Sequence, residues 1–179
     1  PRRRPRPDAV ARWLVFLRNH RDAIAAMDVF TVPSVTFRNL YVWFAIEHGR
    51  RRVLRFDVTD HPAATWVIQQ LRETLPFDAA PRYLIFDRDS TFSSQVVATV
   101  RSFGIKPTRT AYHSPWQNGV AERWVGSVRR DLLDHVVVLG ERVAALGLVV
   151  DDEDAVSHSR STPGSASVSR TTSAPRSCT

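Results

Sequence analysis

Three strand-type patterns follow one another between residues 27 and 58, and this run constrains the fold more than any other feature of the chain. The segment MDVFTV alternates, LYVWFAIEH is almost continuously apolar, and RVLRFDV alternates again. Alternation predicts a half-buried strand, whereas an unbroken apolar run predicts a strand that is covered on both faces. Because only short turns separate the segments, we predict an antiparallel meander, with Leu54, Phe56 and Val58 pointing inward.

A helix, a strand and a second helix are predicted after the meander. Asp60 is a candidate N-cap, Pro62 suits a first turn, and apolar residues then recur at helical spacing as far as Leu75. The next segment, RYLIFD, has the length and composition of a short buried strand. Helical spacing returns from Phe92, and Gly104 is suited to end that helix.

A short strand and a long helix complete the pattern. IKPTRT is predicted to be a peripheral strand because Pro107 cannot donate a hydrogen bond to a neighbouring strand. The loop AYHSPWQNG then leads into a helix from about Val120 to Val138. In this order the elements predict an α/β fold, a mixed five-stranded sheet flanked by helices.

The two ends of the chain differ in composition from this core, which is assigned to residues 25–140. Residues 1–24 begin with PRRRPRP and continue with the amphipathic segment ARWLVFLRNH, so they are predicted to form a basic arm or linker. Residues 141–179 become Ser/Thr-rich and lose any apolar period, which predicts a low-complexity tail, disordered from about residue 151.

Charge and cysteine content restrict the partners and the compartment. The formal net charge is +7 and Lys106 is the only lysine, so nearly all positive charge is guanidinium, which suits phosphate. A nucleic-acid partner and a genome bias toward Arg codons both explain this excess. Cys178 is the single cysteine, which excludes an intrachain disulfide, and no apolar run is long enough to span a membrane. We therefore expect a cytoplasmic protein.

Three carboxylates lie within or next to apolar patterns of predicted strands and helices. Asp28 shares the apolar face of the first strand with Phe30 and Val32, where a carboxylate is costly unless metal or hydrogen bonds compensate. Asp87 ends the buried strand, and Glu122 lies at the edge of the apolar stripe of the last helix. If the first and fourth strands are neighbours, the two aspartates repel one another unless a cation lies between them. Oxygen ligands of this kind favour magnesium or manganese.

Each carboxylate also has a structural explanation. Asp87 suits a strand-end turn, and the face assigned to Asp28 depends on the register of its strand. The helix dipole alone favours Glu122 in a first turn. These explanations are independent of one another, whereas a shared site accounts for all three residues.

The segment SPWQNGVAER carries the most specific motif of the chain. It resembles the Ser-Pro-x-x-Asn-Gly-x-x-Glu-Arg pattern of the retroviral-type integrase catalytic core, in particular that of the Asp-Asp-Glu transposases of bacterial insertion sequences. The matching positions are Ser114, Pro115, Asn118, Gly119, Glu122 and Arg123. In LIFDRDSTF, Asp87 and Phe92 are similar to the family's Asp-Asn-Gly-x-x-Phe, and 34 residues lie between Asp87 and Glu122, within the family's range.

The resemblance covers about residues 10–140 and implies a ribonuclease-H-like fold. It implies DNA strand cleavage and strand transfer with two divalent ions, Mg²⁺ or Mn²⁺. Asp28, Asp87 and Glu122 would be the catalytic metal ligands. The segment DRDS departs from the family's Asp-Asn-Gly, so Asp89 is a rival for the second ligand.

The resemblance also implies contacts with DNA, both transposon ends and target, and a homo-oligomer in the active state. The residues that would contact DNA are Arg88, His113, Gln117, Asn118, Arg123, Arg129 and Arg130. The arginines suit a solvated basic face equally well, His113 suits an exposed loop, and PRRRPRP suits either a DNA contact or a flexible linker. Trp116 suits stacking on a base or packing under its loop.

The chain departs from full-length relatives at both ends. It starts at a linker where relatives carry a helix-turn-helix region, and after HVVVLGER it looks like translation in a shifted reading frame. We therefore expect a truncated or frameshifted copy. One hypothesis is a metal-dependent strand-transfer enzyme with an intact site, and the alternative is a catalytically silent fragment that binds DNA or a partner transposase. A nuclease for RNA–DNA hybrids with the same fold is a third.

Overall fold

The computed structural model describes residues 7–75, 80–112 and 114–133. Within these residues the strands form one mixed five-stranded sheet in the order β3-β2-β1-β4-β5. The strands are β1 (Ile24–Pro33), β2 (Asn39–Glu47), β3 (Val53–Thr59), β4 (Tyr83–Phe86) and β5 (Lys106–Arg109). The helices are α1 (Pro7–Asn19), α2 (Ala64–Thr74), α3 (Ser94–Ser102) and α4 (Gly119–Val128). A 3₁₀ turn (Pro115–Asn118) precedes α4, and a π-helical turn (Arg129–Leu133) continues it.

The predicted meander and the mixed character of the sheet are confirmed. β1, β2 and β3 pair as antiparallel neighbours, whereas β4 pairs with β1 in parallel and β5 pairs with β4 in parallel. Parallel pairs need long crossover connections, and α2 and α3 lie in those connections. β5 lies at the sheet edge, where Pro107 is tolerated.

Apolar side chains cover both faces of the sheet and give the fold three layers. β2 is buried along most of its length, as its unbroken apolar run predicts. On one face, residues of α2 and α3 pack in a cluster with Trp43 and Phe86. On the other face, residues of α1 and α4 pack in a cluster with Phe30 and Phe44, and the Trp124 ring centroid lies 4.1 Å from that of Phe44. No helix in the described part of the chain is long and apolar enough to cross a membrane.

The prediction for the inward face of β3 is wrong at Leu54. Ala45 of β2 pairs with Arg55, but Ile46 pairs with Val53, so Leu54 is the extra residue of a β-bulge. The bulge turns the side chain of Leu54 to the α2 and α3 face, whereas the rest of the inward set packs on the opposite face.

The predicted start of the first core helix is also wrong. α2 begins at Ala64 and its N-cap is Ala63, with no side-chain cap. The Asp60 carboxylate instead accepts a hydrogen bond from Nδ1 of the adjacent His61, and this contact lowers the pKa of Asp60. The helix therefore starts three residues later than a cap at Asp60 predicts.

The N-terminal segment contributes to the core through its helix. α1 begins at Pro7, and Trp13, Phe16 and Leu17 pack against the cluster on the α4 face. Phe16 also meets the ring of Tyr83 edge-on at 5.1 Å between centroids. Residues 1–6, the predicted extension of the last helix to residue 138, and the predicted tail lie outside the described residues.

Candidate active site

Asp28 lies in the middle of β1, the central strand of the sheet. β1 and β4 are parallel neighbours, with Ala26 opposite Ile85. Continuing this register by two residues places Asp87, which directly follows β4, beside Asp28. The adjacency of the first and fourth strands, on which the predicted pair of aspartates depends, is thus confirmed.

Asp28, Asp87 and Glu122 line one cavity of about 300 Å³. Arg88 and Asp89 also line it, together with the segment that follows β5. The structure therefore brings together three carboxylates from a central strand, a strand end and a helix start. The cavity opens at the carboxyl end of β4, the edge at which open α/β sheets commonly bind ligands.

The pKa of Asp28 is raised from 3.8 to about 7. Burial is the main cause, and it is opposed by the backbone N–H of Val29, which donates to Oδ1 of Asp28 at 2.8 Å. The charges of Asp87, Glu122 and Asp89 raise the pKa further. Near neutral pH Asp28 is therefore balanced between its protonated and ionised forms, and a nearby cation favours the ionised form.

Asp87 and Asp89 differ in environment although only one residue separates them. Asp87 is partly buried, burial raises its pKa, and it accepts a hydrogen bond from the N–H of Asp89 at 2.8 Å. Asp89 is exposed and accepts the N–H of Thr91 at 2.7 Å. The strand register places Asp87, not Asp89, next to Asp28.

Glu122 lies in the first turn of α4 and is exposed. The neighbouring Ala121 is fully buried against the sheet. Glu122 therefore lies at the border between the apolar and the polar face of the helix. This is the position that the helical pattern predicts. An exposed glutamate on a packed helix can change rotamer without disturbing the core.

The arginines predicted to contact DNA have different surroundings. Arg88 is exposed at the cavity, and its Nε donates to the carbonyl oxygen of Thr110 at 3.0 Å. Arg129 and Arg130 are exposed at the end of α4. Arg123 is exposed as well, but it lines a separate, more apolar groove between α1 and α4.

The polar residues of the loop before α4 make contacts within the protein. Oε1 of Gln117 accepts a hydrogen bond from the N–H of Ala111. Nδ2 of Asn118 donates to the carbonyl oxygen of Met27 at 3.3 Å, and Asn118 is 4% exposed. His113, also predicted to contact DNA, lies outside the described residues.

Sequence reasoning missed Arg109 and the cavity-lining segment 110–112. The charge of Arg109 lowers the pKa of Asp87, and its guanidinium lies 5.7 Å from the centroid of the Phe86 ring. Residues 110–112 follow β5 and line the cavity. The sequence could have indicated these residues, because the segments that follow neighbouring parallel strands meet at the same edge of the sheet.

The three carboxylates fit a divalent cation in their chemistry. Their oxygens are the hard ligands that Mg²⁺ and Mn²⁺ prefer, and a cation relieves the repulsion that helps to raise the pKa of Asp28. Among residues 7–75, 80–112 and 114–133, no group of three or more Asp, Glu, His or Cys side chains is arranged to hold a metal ion. Glu122 is the exposed member of the three carboxylates.

Comparison with solved structures relates the fold to known proteins. The chain is similar to one from the simian T-cell lymphotropic virus intasome in complex with PP2A regulatory subunit B56 gamma, with a TM-score of 0.59 and 15% identity. At this identity the likeness shows a shared fold, here the mixed five-stranded sheet flanked by helices. The match covers 71% of this chain and 47% of that chain, so this chain spans about half the length of the chain it matches.

Two integrase catalytic core domains are also similar. For that of HTLV-2 integrase in complex with magnesium (trimeric form), the TM-score is 0.49 and the identity 14%, over 61% of this chain and 68% of that chain. For that of BIV integrase, the values are 0.48 and 20%, over 72% and 82%. No protein-family profile and no curated protein sequence matches the chain.

Proposed function

We propose that this chain is the catalytic core of a transposase- or integrase-type enzyme that cleaves and joins DNA strands with two divalent ions, Mg²⁺ or Mn²⁺. The observation that carries the proposal is the convergence of Asp28, Asp87 and Glu122 on one cavity of an integrase-type fold. Two such ions, when bound, activate a water or a DNA 3′-hydroxyl and stabilise the attacking and leaving oxygens of a phosphodiester displacement.

Each carboxylate has its own role in this proposal. Asp28 lies on the central strand, and the charges of Asp87 and Glu122 act on it, so Asp28 would hold both ions. Asp87 and Glu122 would supply further carboxylate ligands. Because ligation needs an ionised carboxylate, protonation of Asp28 below about pH 7 competes with metal binding.

DNA contacts are assigned to the cations around this site. Arg88, exposed at the cavity, is placed to hold a phosphate next to the carboxylates. Arg129 and Arg130 extend the positive surface beyond Glu122, and Arg123 extends it over the other side of α4. We also propose a homo-oligomer as the active form and an origin in an insertion-sequence transposase, the latter supported by the motif SPWQNGVAER.

A metal titration tests the proposal. The melting temperature of the wild-type chain should rise with Mn²⁺ concentration, because a ligand that binds only the folded state stabilises it. Asp28→Asn should abolish that rise. Asp57→Asn is the matched control, since Oδ1 of Asp57 accepts the N–H of Val58 at 2.8 Å, in the same way that Asp28 accepts Val29. A wild-type melting temperature that does not respond to Mn²⁺ contradicts the proposal.

The alternative is a catalytically silent fragment that binds DNA or a partner transposase. One observation favours it: in the part of the chain that the structure describes, no group of three or more Asp, Glu, His or Cys side chains is arranged to hold a metal ion. Under this alternative, the wild-type chain binds DNA in EDTA, and Asp28→Asn binds DNA equally well. Mn²⁺ then changes the melting temperature of neither the wild-type chain nor Asp28→Asn.

A further inference from the structure

Asn118 lines the carboxylate cavity, and only one of the two polar atoms of its side-chain amide has a hydrogen-bond partner among the described residues. It is 4% exposed, and its Nδ2 donates to the carbonyl oxygen of Met27 at 3.3 Å. Its Oδ1 is buried and has no hydrogen-bond partner among the described residues. A buried, unpaired amide oxygen is costly, so its presence at this position needs a reason.

The hydrogen bond of Asn118 joins two distant parts of the site. Met27 directly precedes Asp28 in β1, and Asn118 lies one helical turn before Glu122. The two bonded residues are 91 positions apart in the chain. The contact therefore ties the strand that carries Asp28 to the start of the helix that carries Glu122.

The side chain of Asn118 does not cap α4, although asparagine at this position usually caps a helix. It is the N-cap residue of α4, and asparagine at an N-cap commonly accepts an N–H of the first helical turn through Oδ1. Asn118 makes no such side-chain bond. Its amide instead donates to β1, and the residue shares the cavity wall with Asp28 and Glu122.

The turn that contains Asn118 is held from its other side as well. Nε1 of Trp13 in α1 donates to the carbonyl oxygen of Gln117 at 3.2 Å. Oε1 of Gln117 accepts the N–H of Ala111, which closes the loop on itself. Of these three contacts, that of Asn118 is the one that reaches the strand of Asp28.

We propose that Asn118 is a positioning residue for the carboxylate site and not a DNA contact. Its Nδ2 holds the start of α4 against β1, which sets the approach of Glu122 to Asp28 and Asp87. This inference rests on the proposed function. It assigns a structural role to Asn118, which the motif resemblance predicted to contact DNA.

The test uses two variants of Asn118 and a control of matched burial. Asn118→Ala removes the amide, and Asn118→Leu removes it while keeping its approximate volume, so that lost packing and lost hydrogen bonds are separated. Gln70→Ala is the control, because Gln70 is also 4% exposed and its Oε1 accepts a hydrogen bond from Arg55 at 3.1 Å, away from the cavity.

Mn²⁺ affinity and metal-free DNA binding are measured for each full-length variant. Both Asn118 variants should weaken Mn²⁺ binding about tenfold or more, as loss of groups that orient metal ligands commonly does. Gln70→Ala should leave Mn²⁺ affinity unchanged, and DNA binding in EDTA should be unchanged in all. Weaker DNA binding in EDTA together with wild-type Mn²⁺ affinity in Asn118→Leu would overturn the proposal.

Failure of the proposed function is recognisable separately, since the wild-type chain would then bind no Mn²⁺. The positioning role is in that case tested by amide hydrogen exchange in the metal-free protein. Faster exchange at residues 119–123 in Asn118→Leu than in Gln70→Ala supports the contact with β1. Equal exchange in these two variants overturns it.

Discussion

Asp28 and Asp57 occupy similar local positions in two strands of one sheet, and only Asp28 belongs to a cluster of acids around the cavity. Each carboxylate accepts the N–H of the following residue at 2.8 Å, and each residue is partly buried. β1 is central, with Asp87 beyond β4, whereas β3 is an edge strand. The charge cluster therefore arises from strand order and from the return of α4 over the sheet, not from the local sequence around each aspartate.

The largest difference between the two aspartates should appear in catalysis. Under the proposed function, Asp28→Asn should reduce Mn²⁺-dependent nicking of supercoiled plasmid by about a hundredfold or more, because it would remove a metal ligand. Asp57→Asn should retain activity within about twofold. Equal losses in the two variants would place the effect in folding and not in the cavity.

Asp87 and Asp89 give a closer comparison within the cavity. Under the proposed function, Asp87→Asn and Glu122→Gln should reduce nicking about as strongly as Asp28→Asn, since each would remove a metal ligand. Asp89→Asn should reduce nicking about tenfold or less, because the exposed Asp89 would contribute charge but no ligand. The reverse order for the two aspartates would identify Asp89 as the second ligand.

The stability of metal-free Asp28→Asn relative to the wild-type chain should depend on pH. Burial raises the folded-state pKa of Asp28 to about 7, above its value of 3.8 when unfolded. Its contribution to stability is therefore fully present below the unfolded pKa and is lost as pH rises through the folded pKa. Asp28→Asn removes this loss, so it should raise the free energy of unfolding by on the order of 2 kcal/mol at about pH 8, and by less at about pH 4.

Urea unfolding across this pH range measures that gain. Asp57→Asn is measured alongside it as the matched control, because Asp57 is not among the residues that line the cavity. A gain in Asp28→Asn that is the same at both pH values would show that Asp28 does not titrate between them.

The smallest effect is expected at the edge of the sheet, in the ion pair between Arg55 of β3 and Glu73 of α2. Each side chain is 38% exposed, so solvent screens the pair. Glu73→Gln should lower the free energy of unfolding by less than about 1 kcal/mol and leave the Mn²⁺ response unchanged. A changed Mn²⁺ response would mean that the edge and the cavity are coupled.

Much of the fold and of the site could be predicted from the sequence, because the spacing of apolar residues indicates which face of a strand or helix is buried. Alternation with Phe30 and Val32 placed Asp28 on an apolar face, and the edge of the α4 stripe placed Glu122. The unbroken apolar run of β2 and the proline of β5 predicted a covered strand and a peripheral strand, and both are confirmed.

Features that depend on contacts between distant segments could not be predicted in this way. Leu54 changes face because of a bulge in the pairing with β2, which leaves no periodic signal in β3. α2 begins after Ala63, and the Asp60 carboxylate contacts the adjacent His61 and does not cap the helix. The buried amide of Asn118 depends on a carbonyl group 91 residues away, which a motif cannot show.

Direct measurement of Mn²⁺ binding by electron paramagnetic resonance, which follows the free ion, tests the central claim most directly. At about pH 8, where Asp28 is mostly ionised, the wild-type chain and Asp57→Asn should deplete free Mn²⁺ equally. Asp28→Asn should leave the free-ion signal as it is without protein. A wild-type chain that leaves the signal unchanged, or an Asp28→Asn variant that binds as wild type does, would contradict the account.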